Sequence, residues 1–152
     1  MKAVIQRCSS ARVEVEGNIV GQIGPGIAIF LGIATGDSAV HAARLAQKVA
    51  SLRIFDDAEG KFAFSVRDVG GAALVIPNFT IYGDARKGTR PNFGAAAPPS
   101  KANPLYSQFV TLLTEQKVPV QTGIFGAAMR VQVENDGPVT VIVEVGPDSQ
   151  LT

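Results

Sequence analysis

This 152-residue sequence shows no cluster of His, Cys and carboxylate side chains of the kind that enzymes use for catalysis. The one histidine, His41, falls early in a predicted helix, where a solvated position is the simpler interpretation. The one cysteine, Cys8, is typical of a small buried hydrophobic residue rather than a nucleophile. Asp56, Asp57 and Glu59 fit a solvated turn better than a metal loop, and no Cys/His spacing fits zinc. The sequence therefore predicts no metal and no other cofactor.

The segment Pro77-Asn78-Phe79-Thr80 lies within an otherwise strand-like run. Pro77 has no amide hydrogen to donate, so we expect either a sheet edge or a bend at this point. A bend would expose the amides of Phe79 and Thr80, and exposed amides can stabilise an oxyanion that develops during acyl transfer. An edge strand with an unimportant kink is the competing interpretation.

A second unusual segment lies near the end of the sequence. The runs Val131–Glu134 and Val139–Glu144 alternate apolar and polar residues or are β-branched, which predicts two paired strands. Asp136-Gly137 between them is a hairpin signal, but Pro138 follows at once, removes a ladder donor and fixes φ. The hairpin pattern alone gives no reason for this Gly-Pro bond.

The stretch from Gly83 to Ser100 has no periodicity and is rich in Gly, Ala and Pro. Loops of this length inside compact domains are uncommon and usually functional. Three basic residues in it, Arg86, Lys87 and Arg90, follow shortly after the Pro77–Thr80 segment. Composition alone favours a solvated loop.

Length and composition predict a single domain over residues 1–152. The net charge of +1 argues against a broad surface that coats nucleic acid, and we expect no DNA partner. The longest apolar run, Gly26–Ala34, is far too short to span a membrane, and no signal peptide is recognisable. With a single cysteine, these features favour a reducing, cytoplasmic setting.

Hydrophobic periodicity and turn residues predict an α+β fold with a mostly antiparallel, barrel-like sheet and two helices. One helix should follow Asp37 or Ser38 and run to about Phe55, and the other should begin at Asn103-Pro104 and run to about Lys117. Strands are predicted at Lys2–Cys8, in a hairpin that turns at Glu16-Gly17-Asn18, and at Gly26–Ala34, Ala72–Tyr82, Val118–Thr122, Ala128–Glu134 and Val139–Val145.

The sequence resembles the D-aminoacyl-tRNA deacylases almost from end to end. The resemblance rests on "MKAVIQR", "LRIF.D..GK", "DVGG..LV", "FT.YGDARKG.RP.F..AAPP", "PLY..F" and "NDGPVT", in this order and at the family's spacing. It implies hydrolysis of D-amino acids from mischarged tRNA by a homodimer. The implied partner is the aminoacylated 3′ end of tRNA.

The resemblance also assigns roles to residues. In the family, the Gly-Pro bond of the NxGPVT motif is cis and reaches the active site of the partner subunit. The motif maps onto Asn135, Gly137, Pro138, Val139 and Thr140. Two carbonyls in this segment would accept the substrate ammonium, and an L side chain would clash with the backbone. Glycine should pass such a filter, which implies activity on glycyl-tRNA(Ala).

The catalytic motif of the family corresponds to Pro77-Asn78-Phe79-Thr80. The amides of Phe79 and Thr80 would form the oxyanion hole, a positioned water would attack, and the vicinal 2′-OH of the ribose would assist. Attack by the Thr80 hydroxyl is the competing idea, but neither motif offers a base to activate it. Beside a site for the tRNA end, Arg86, Lys87 and Arg90 become candidates for phosphate contacts.

This sequence departs from the family pattern Ser-Gln-x-Thr, because Pro77 replaces Ser and Asn78 replaces Gln. Pro77 resembles a related branch that has a trans Gly-Pro bond and tolerates L-alanine. Arg7, which braces the Gly-Pro carbonyls in the D-specific enzymes, favours the D-specific group and a cis bond. Two alternatives stay open: a deacylase of relaxed chirality acting on L-alanyl-tRNA(Thr), and a non-catalytic dimer that binds aminoacyl-tRNA.

Overall fold

A computed structural model describes residues 1–146. Two α-helices and eight strands make up most of this part of the chain. In chain order the elements are β1 (Lys2–Val15), β2 (Asn18–Ile23), β3 (Gly26–Gly32), α1 (Ala39–Ser51), β4 (Phe55–Asp56), β5 (Phe62–Phe64), β6 (Ala72–Pro77), a 3₁₀ turn (Phe79–Tyr82), α2 (Pro99–Glu115), β7 (Val120–Thr122) and β8 (Arg130–Glu144).

The main sheet has the strand order β2-β1-β3-β6-β7, with β8 paired to β1. The β1–β2, β1–β3 and β1–β8 pairs are antiparallel, whereas β3–β6 and β6–β7 are parallel. The prediction of a mostly antiparallel sheet is therefore wrong, and the sheet is mixed. Its parallel pairs arise because α1 lies between β3 and β6 and α2 lies between β6 and β7, which gives each pair a crossover connection.

The two ends of this sheet curl towards each other, so the predicted barrel-like shape is confirmed. β2 approaches β7 so closely that a Cβ atom placed on Gly21 would lie 2.4 Å from the carbonyl oxygen of Thr122. Only a glycine permits this approach, because any side chain here would meet backbone rather than a movable group. The sheet thus forms a nearly closed wall around the apolar interior.

β1 is one strand of 14 residues, longer than the predicted Lys2–Cys8. Its first half pairs with β3 and its second half with β2, while β8 follows its other edge. The turn from β1 to β2 lies where it was predicted, at Glu16 and Gly17, which have φ values of 51° and 79°. Positive φ at both central residues is what a tight two-residue hairpin requires.

The helices cover one face of the sheet with their apolar sides, but their bounds differ from the predictions. α1 ends at Ser51 because Phe55 belongs to β4, which pairs with β5. α2 begins at Pro99 rather than at Pro104, since the preset φ of Pro99 suits the first helical position, and Pro104 lies inside the helix. The buried apolar residues of the two helices are Ala42, Leu45, Ala46, Val49, Ala50, Ala102, Leu105, Tyr106, Phe109 and Leu113.

His41 is buried, so the prediction of a solvated position is wrong. Its Nδ1 accepts a hydrogen bond from the Ser38 amide at 3.1 Å and lies 3.4 Å from Asp37 Oδ1. The same carboxylate accepts a hydrogen bond from the buried amino group of Met1 at 2.6 Å. His41 therefore belongs to a structural cluster at the start of α1. Among residues 1–146, no helix has the length and apolar character needed to cross a membrane.

Candidate active site

β8 passes through the Gly137-Pro138 segment as one strand, so the predicted hairpin is wrong. Both halves of β8 pair with β1, and the register runs from Gln6↔Thr140 to Cys8↔Asn135. Residues 136–139 therefore bulge out opposite Arg7, which is larger than the single extra residue of an ordinary β-bulge. Because bulged residues leave the ladder, the missing amide hydrogen of Pro138 breaks no strand pairing.

Asn135 closes this bulge with its side chain. Its Oδ1 accepts a hydrogen bond from the Val139 amide at 2.8 Å, and its Nδ2 donates to the Val139 carbonyl and to Thr140 Oγ1, both at 3.2 Å. The Gly137–Pro138 peptide bond is cis, as Arg7 and the family resemblance imply. Gly137 has a φ of 144°, and a Cβ atom on it would lie 2.7 Å from Val139 Cγ2, so only glycine fits this position.

Arg7 of β1 lies opposite the bulge and contacts it. Arg7 is itself buried, with 8% of its surface exposed. Its Nε donates to the Asp136 carbonyl at 2.9 Å, and its Nη1 donates to the Ile54 carbonyl at 2.9 Å. The resemblance implies a contact with the Gly-Pro carbonyls, whereas the hydrogen bond reaches the carbonyl just before them. Arg7 Nη2 lies beside Gly137, 3.3 Å from the place of a Cβ atom.

The chain bends at the Pro77–Thr80 segment, at the end of β6. Of the two predicted outcomes, a sheet edge or a bend, the structure has the bend. β6 ends at Pro77, so the predicted continuation of the strand to Tyr82 is wrong. The Asn78 amide still donates to the Leu31 carbonyl at 2.8 Å, and the chain then enters the 3₁₀ turn. β7 pairs only as far as Val75, so the lack of an amide hydrogen at Pro77 leaves no ladder partner unsatisfied.

The 3₁₀ turn leaves the first two of its amides free. Ile81 is the first residue whose amide has an acceptor in the turn, the Asn78 carbonyl at 3.4 Å. The amides of Phe79 and Thr80 precede it, and the first amides of a helix have no intrahelical acceptor. Within the described residues neither amide makes a hydrogen bond, and both residues are exposed. Two adjacent N–H groups are thus free to donate to an acceptor from outside the chain.

The Thr80 hydroxyl is already engaged. Its Oγ1 donates to Asn78 Oδ1 at 2.5 Å. No carboxylate or imidazole in residues 1–146 is hydrogen-bonded to this hydroxyl. Asn78 therefore orients Thr80, and the arrangement provides no general base for attack by Thr80 itself.

An apolar cavity of about 360 Å³ opens beside the turn. Phe79 and Phe93 form one wall, packed edge to face with their ring centroids 5.3 Å apart. A cavity of this size with aromatic walls suits a nucleobase or another small ring. Its other lining residues include Leu31, Ile33, Pro77, Asn78 and Phe125.

The basic loop after the turn is closed by a pair of backbone hydrogen bonds between Asp84 and Asn92, at 2.8 and 2.9 Å. Arg86 is bound to the Asp84 carboxylate through Nη2 at 2.6 Å and Nε at 2.9 Å, which lowers the pKa of Asp84 and raises that of Arg86. Lys87 and Arg90 are exposed and form no ion pair with any residue in the described range. They are the free cations of this loop.

Within one protomer the two candidate motifs lie far apart. Pro77 pairs with Leu31 of β3, and Leu31 pairs with Ala3 of β1. The bulge instead lies opposite Arg7, four residues further along β1. Four residues of strand correspond to roughly 13 Å, and three strand spacings from β8 to β6 add roughly 14 Å across the sheet. Measured along the sheet, the bulge and the free amides of one protomer are therefore well separated.

The short hairpin of β4 and β5 is a neighbour of the site that no sequence pattern indicated. Asp56 was assigned to a solvated turn, but its Oδ2 accepts a hydrogen bond from Arg7 Nη1 at 3.2 Å. The "LRIF.D..GK" motif gave no signal for it, because the aspartate that the motif specifies is Asp57 and Asp56 occupies an unspecified position. Among residues 1–146 no group of three His, Cys, Asp or Glu side chains could hold a metal ion.

The chain is similar to known proteins over nearly its whole length. The family profile of D-Tyr-tRNA(Tyr) deacylase matches residues 4–144. A D-aminoacyl-tRNA deacylase of Carboxydothermus hydrogenoformans is 52% identical over 145 residues, which cover 95% of this chain and all of that one.

Two solved structures have the same fold. A protein described as c-Myc DNA Unwinding Element Binding Protein superposes with a TM-score of 0.89 at 36% identity, over 95% of this chain and 99% of that one. A probable eukaryotic D-amino acid tRNA deacylase has a TM-score of 0.84 at 14% identity, over 95% and 98% of the two chains. On this evidence the chain belongs to the D-Tyr-tRNA(Tyr) deacylase family.

Proposed function

We propose that the protein hydrolyses the ester bond of D-aminoacyl-tRNA, and of glycyl-tRNA(Ala), and thereby releases the amino acid and free tRNA. It would act as a chiral proofreading enzyme in the cytoplasm. The observation that carries this proposal is the pair of free amides at Phe79 and Thr80 in a chain of this family. An ester hydrolase that has no catalytic base needs groups that stabilise the oxyanion, and these two amides can provide them.

A homodimer would complete the site. In one protomer the bulge and the free amides are separated along the sheet, although the family resemblance assigns both to one active site. The bulge is exposed at Asp136, Gly137 and Pro138, so it is accessible to a second copy. We infer that the bulge of each protomer reaches the Phe79 region of the other.

The bulge would serve as the chirality filter. The Gly137 and Pro138 carbonyls would accept hydrogen bonds from the substrate ammonium, leaving the Cα hydrogen against the backbone. The side chain of an L-amino acid would have to occupy that space. Because Asn135 and Arg7 hold both ends of the bulge, the backbone cannot move aside, and the L isomer is excluded. Glycine has no side chain at this position and would be accepted.

Hydrolysis would then need little further assistance, since the aminoacyl ester is already labile. The amides of Phe79 and Thr80 would stabilise the oxyanion of the tetrahedral intermediate. Water would attack, and the vicinal 2′-OH of the ribose would help to orient or activate it. Asn78 would hold Thr80 in place through their hydrogen bond. The cavity beside Phe79 would accept part of the tRNA end, and Lys87 and Arg90 would contact its phosphates.

The test is deacylation of four charged tRNAs at matched concentration: D-Tyr-tRNA(Tyr), L-Tyr-tRNA(Tyr), Gly-tRNA(Ala) and L-Ala-tRNA(Thr). We expect the D-tyrosyl and glycyl esters to be lost rapidly and both L esters to be spared. Cleavage of the L-alanyl ester as well would indicate the relaxed-chirality deacylase that Pro77 resembles. Retained tRNA binding with no cleavage of any ester would mean that the protein is a non-catalytic binding dimer.

A further inference from the structure

The guanidinium group of Arg7 is held from two sides by different parts of the chain. On one side its Nε bonds the Asp136 carbonyl of the bulge. On the other side its Nη1 bonds the Ile54 carbonyl at 2.9 Å and Asp56 Oδ2 at 3.2 Å. The ring of Phe62 lies against the same group, with its centroid 5.9 Å from the guanidinium carbon. The segment that contains β4 and β5 thus makes three contacts with one buried side chain.

The β4–β5 hairpin is built to present these two side chains together. Asp56 and Phe62 are directly paired across the two strands. The turn between them is closed by Asp57, whose Oδ1 accepts from the Glu59 and Lys61 amides at 2.9 and 3.0 Å. Phe62 is 57% exposed, which is unusual for a phenylalanine, and its contact with the Arg7 cation gives it a local role.

We propose that Asp56, assisted by Phe62, is a positioning residue that holds Arg7 against the Asp136 carbonyl and so fixes the 136–139 bulge. This inference rests on the proposed function, since it assigns Asp56 to the chirality filter of that reaction. Asp56 does not touch the substrate. It acts through Arg7.

The planarity of the guanidinium group gives the physical reason. Its five N–H bonds lie in one plane with fixed angles, so fixing Nη1 also fixes the direction of the Nε–H bond. With Asp56 in place, Nη1 has two acceptors, and the plane of the group is set before the bulge is contacted. Without Asp56, Nη1 keeps only the Ile54 carbonyl, and the group can tilt away from Asp136.

An exposed ion pair would contribute little, but this pair is only partly exposed. The side chain of Arg7 is 10% exposed and that of Asp56 is 40% exposed. A hydrogen bond between charged groups in such a setting is stronger than one at a fully exposed site, though solvent at Asp56 weakens it. The expected effect on the reaction is therefore moderate, not a complete loss.

The experiment compares Asp56→Ala, Asp56→Asn and Asp56→Glu in the full chain, with Glu59→Gln as the matched control. Glu59 lies in the same hairpin but pairs with Lys61 at 3.3 Å and does not contact Arg7. For Asp56→Ala we expect kcat/KM on D-Tyr-tRNA(Tyr) to fall about five- to tenfold, the size of one partly screened charged hydrogen bond. The loss should be mainly in KM, because the bulge contacts the ammonium in the bound substrate as well as in the transition state.

Rescue and specificity separate positioning from a general loss of structure. Asp56→Glu should recover part of the activity, and Asp56→Asn should lie between the native protein and Asp56→Ala. Cleavage of L-Ala-tRNA(Thr) relative to D-Tyr-tRNA(Tyr) should increase in Asp56→Ala, since a mobile bulge excludes an L side chain less well. The control Glu59→Gln should match the native protein in every assay.

An NMR measurement tests the contact without any turnover. In the native protein the Arg7 Nε–H signal should be protected from exchange with water, and Asp56→Ala should accelerate that exchange at least several-fold. The inference would be overturned if the Arg7 Nε–H of Asp56→Ala exchanged at the native rate. It would also be overturned if an active Asp56→Ala enzyme kept the native kcat/KM and the native preference for the D substrate. If the native protein cleaves no ester, the proposed function fails, while the exchange rates still decide whether Asp56 positions Arg7.

Discussion

Asn135 and Val139 exchange two hydrogen bonds across the three residues that separate them. The Val139 amide donates to Asn135 Oδ1 at 2.8 Å, and Asn135 Nδ2 donates to the Val139 carbonyl at 3.2 Å. One side chain thereby replaces the strand pairing that the bulged residues cannot make. These two bonds close the bulge at its base, so its shape depends on Asn135 as well as on the residues at its tip.

Replacement of Asn135 by Ala should open the base of the bulge. Two backbone groups of Val139 would lose their partner, so we expect the free energy of unfolding to fall by about 1–2 kcal/mol. Urea unfolding followed by circular dichroism measures this change. Gln132→Ala, at an exposed position of the same strand, should change it by less than about 0.5 kcal/mol. Equal effects of the two substitutions would show that Asn135 does not hold the bulge.

Thr80→Ala should leave substantial deacylase activity, because Thr80 has an orienting role and its hydroxyl donates a hydrogen bond to Asn78 Oδ1. We expect kcat/KM on D-Tyr-tRNA(Tyr) to stay within about tenfold of the native value, as for the loss of one hydrogen bond. Thr80→Ser, which keeps the hydroxyl, should be closer to the native enzyme. Complete loss of turnover in Thr80→Ala with tRNA binding intact would instead indicate a nucleophilic Thr80.

Lys87→Gln should reduce the salt dependence of tRNA binding. Each phosphate contact contributes roughly 0.7–0.9 to the slope of log K against log salt, so one lost contact should flatten it by about that amount. Lys61→Gln is the control, since Lys61 is also exposed but lies in the turn of the β4–β5 hairpin and pairs with Glu59. An identical slope for Lys87→Gln and the native protein would show that Lys87 does not contact tRNA phosphates and that the loop is simply solvated.

Cys8 should be unreactive in the folded protein and should make stability depend on pH in the alkaline range. Burial raises the pKa of the Cys8 thiol from 9.0 to about 11. Above pH 9.0 the unfolded chain therefore loses this proton while the folded protein keeps it. Stability should be unaffected by this group below pH 9.0 and should fall as the pH rises from 9.0 towards about 11.

Two measurements check the Cys8 prediction. A thiol reagent at pH 8 should label Cys8 only after denaturation. Urea unfolding between pH 8 and pH 10 should show a steeper loss of stability for the native protein than for Cys8→Ala, whatever the absolute stability of that variant. Parallel pH profiles, or rapid labelling of the folded protein, would contradict the burial of the thiol.

Sequence patterns located most of the fold because local residues determine it. The turn at Glu16-Gly17 and the start of α1 after Ser38 follow from turn and capping preferences. The mixed sheet was missed, since periodicity shows that a segment is a strand but not which strand lies beside it. The start of α2 was misplaced because Asn103-Pro104 and Pro98-Pro99 are both plausible helix starts.

The residues of the candidate site can be predicted from the sequence, but their arrangement in space cannot. The bend after Pro77 is what its missing amide hydrogen predicts, whereas the amides of Phe79 and Thr80 are free because they begin the 3₁₀ turn. The bulge in β8 could not be predicted, because Asp136-Gly137 also fits a hairpin, and only the pairing of both halves with β1 distinguishes the two. Asp56 was overlooked since its partner, Arg7, is 49 residues away in the sequence.

The pairing of β1 with β8 has a consequence for the order of folding. β1 is synthesised well before β8, yet one of its edges is covered only by β8, with Lys2 opposite Glu144. Contacts this distant in sequence are costly in loop-closure entropy and form slowly. During translation the outer edge of β1 therefore remains unprotected until β8 has left the ribosome. The nascent protein should depend on chaperones, or on a charged and twisted edge, to avoid pairing with a neighbouring chain in that interval.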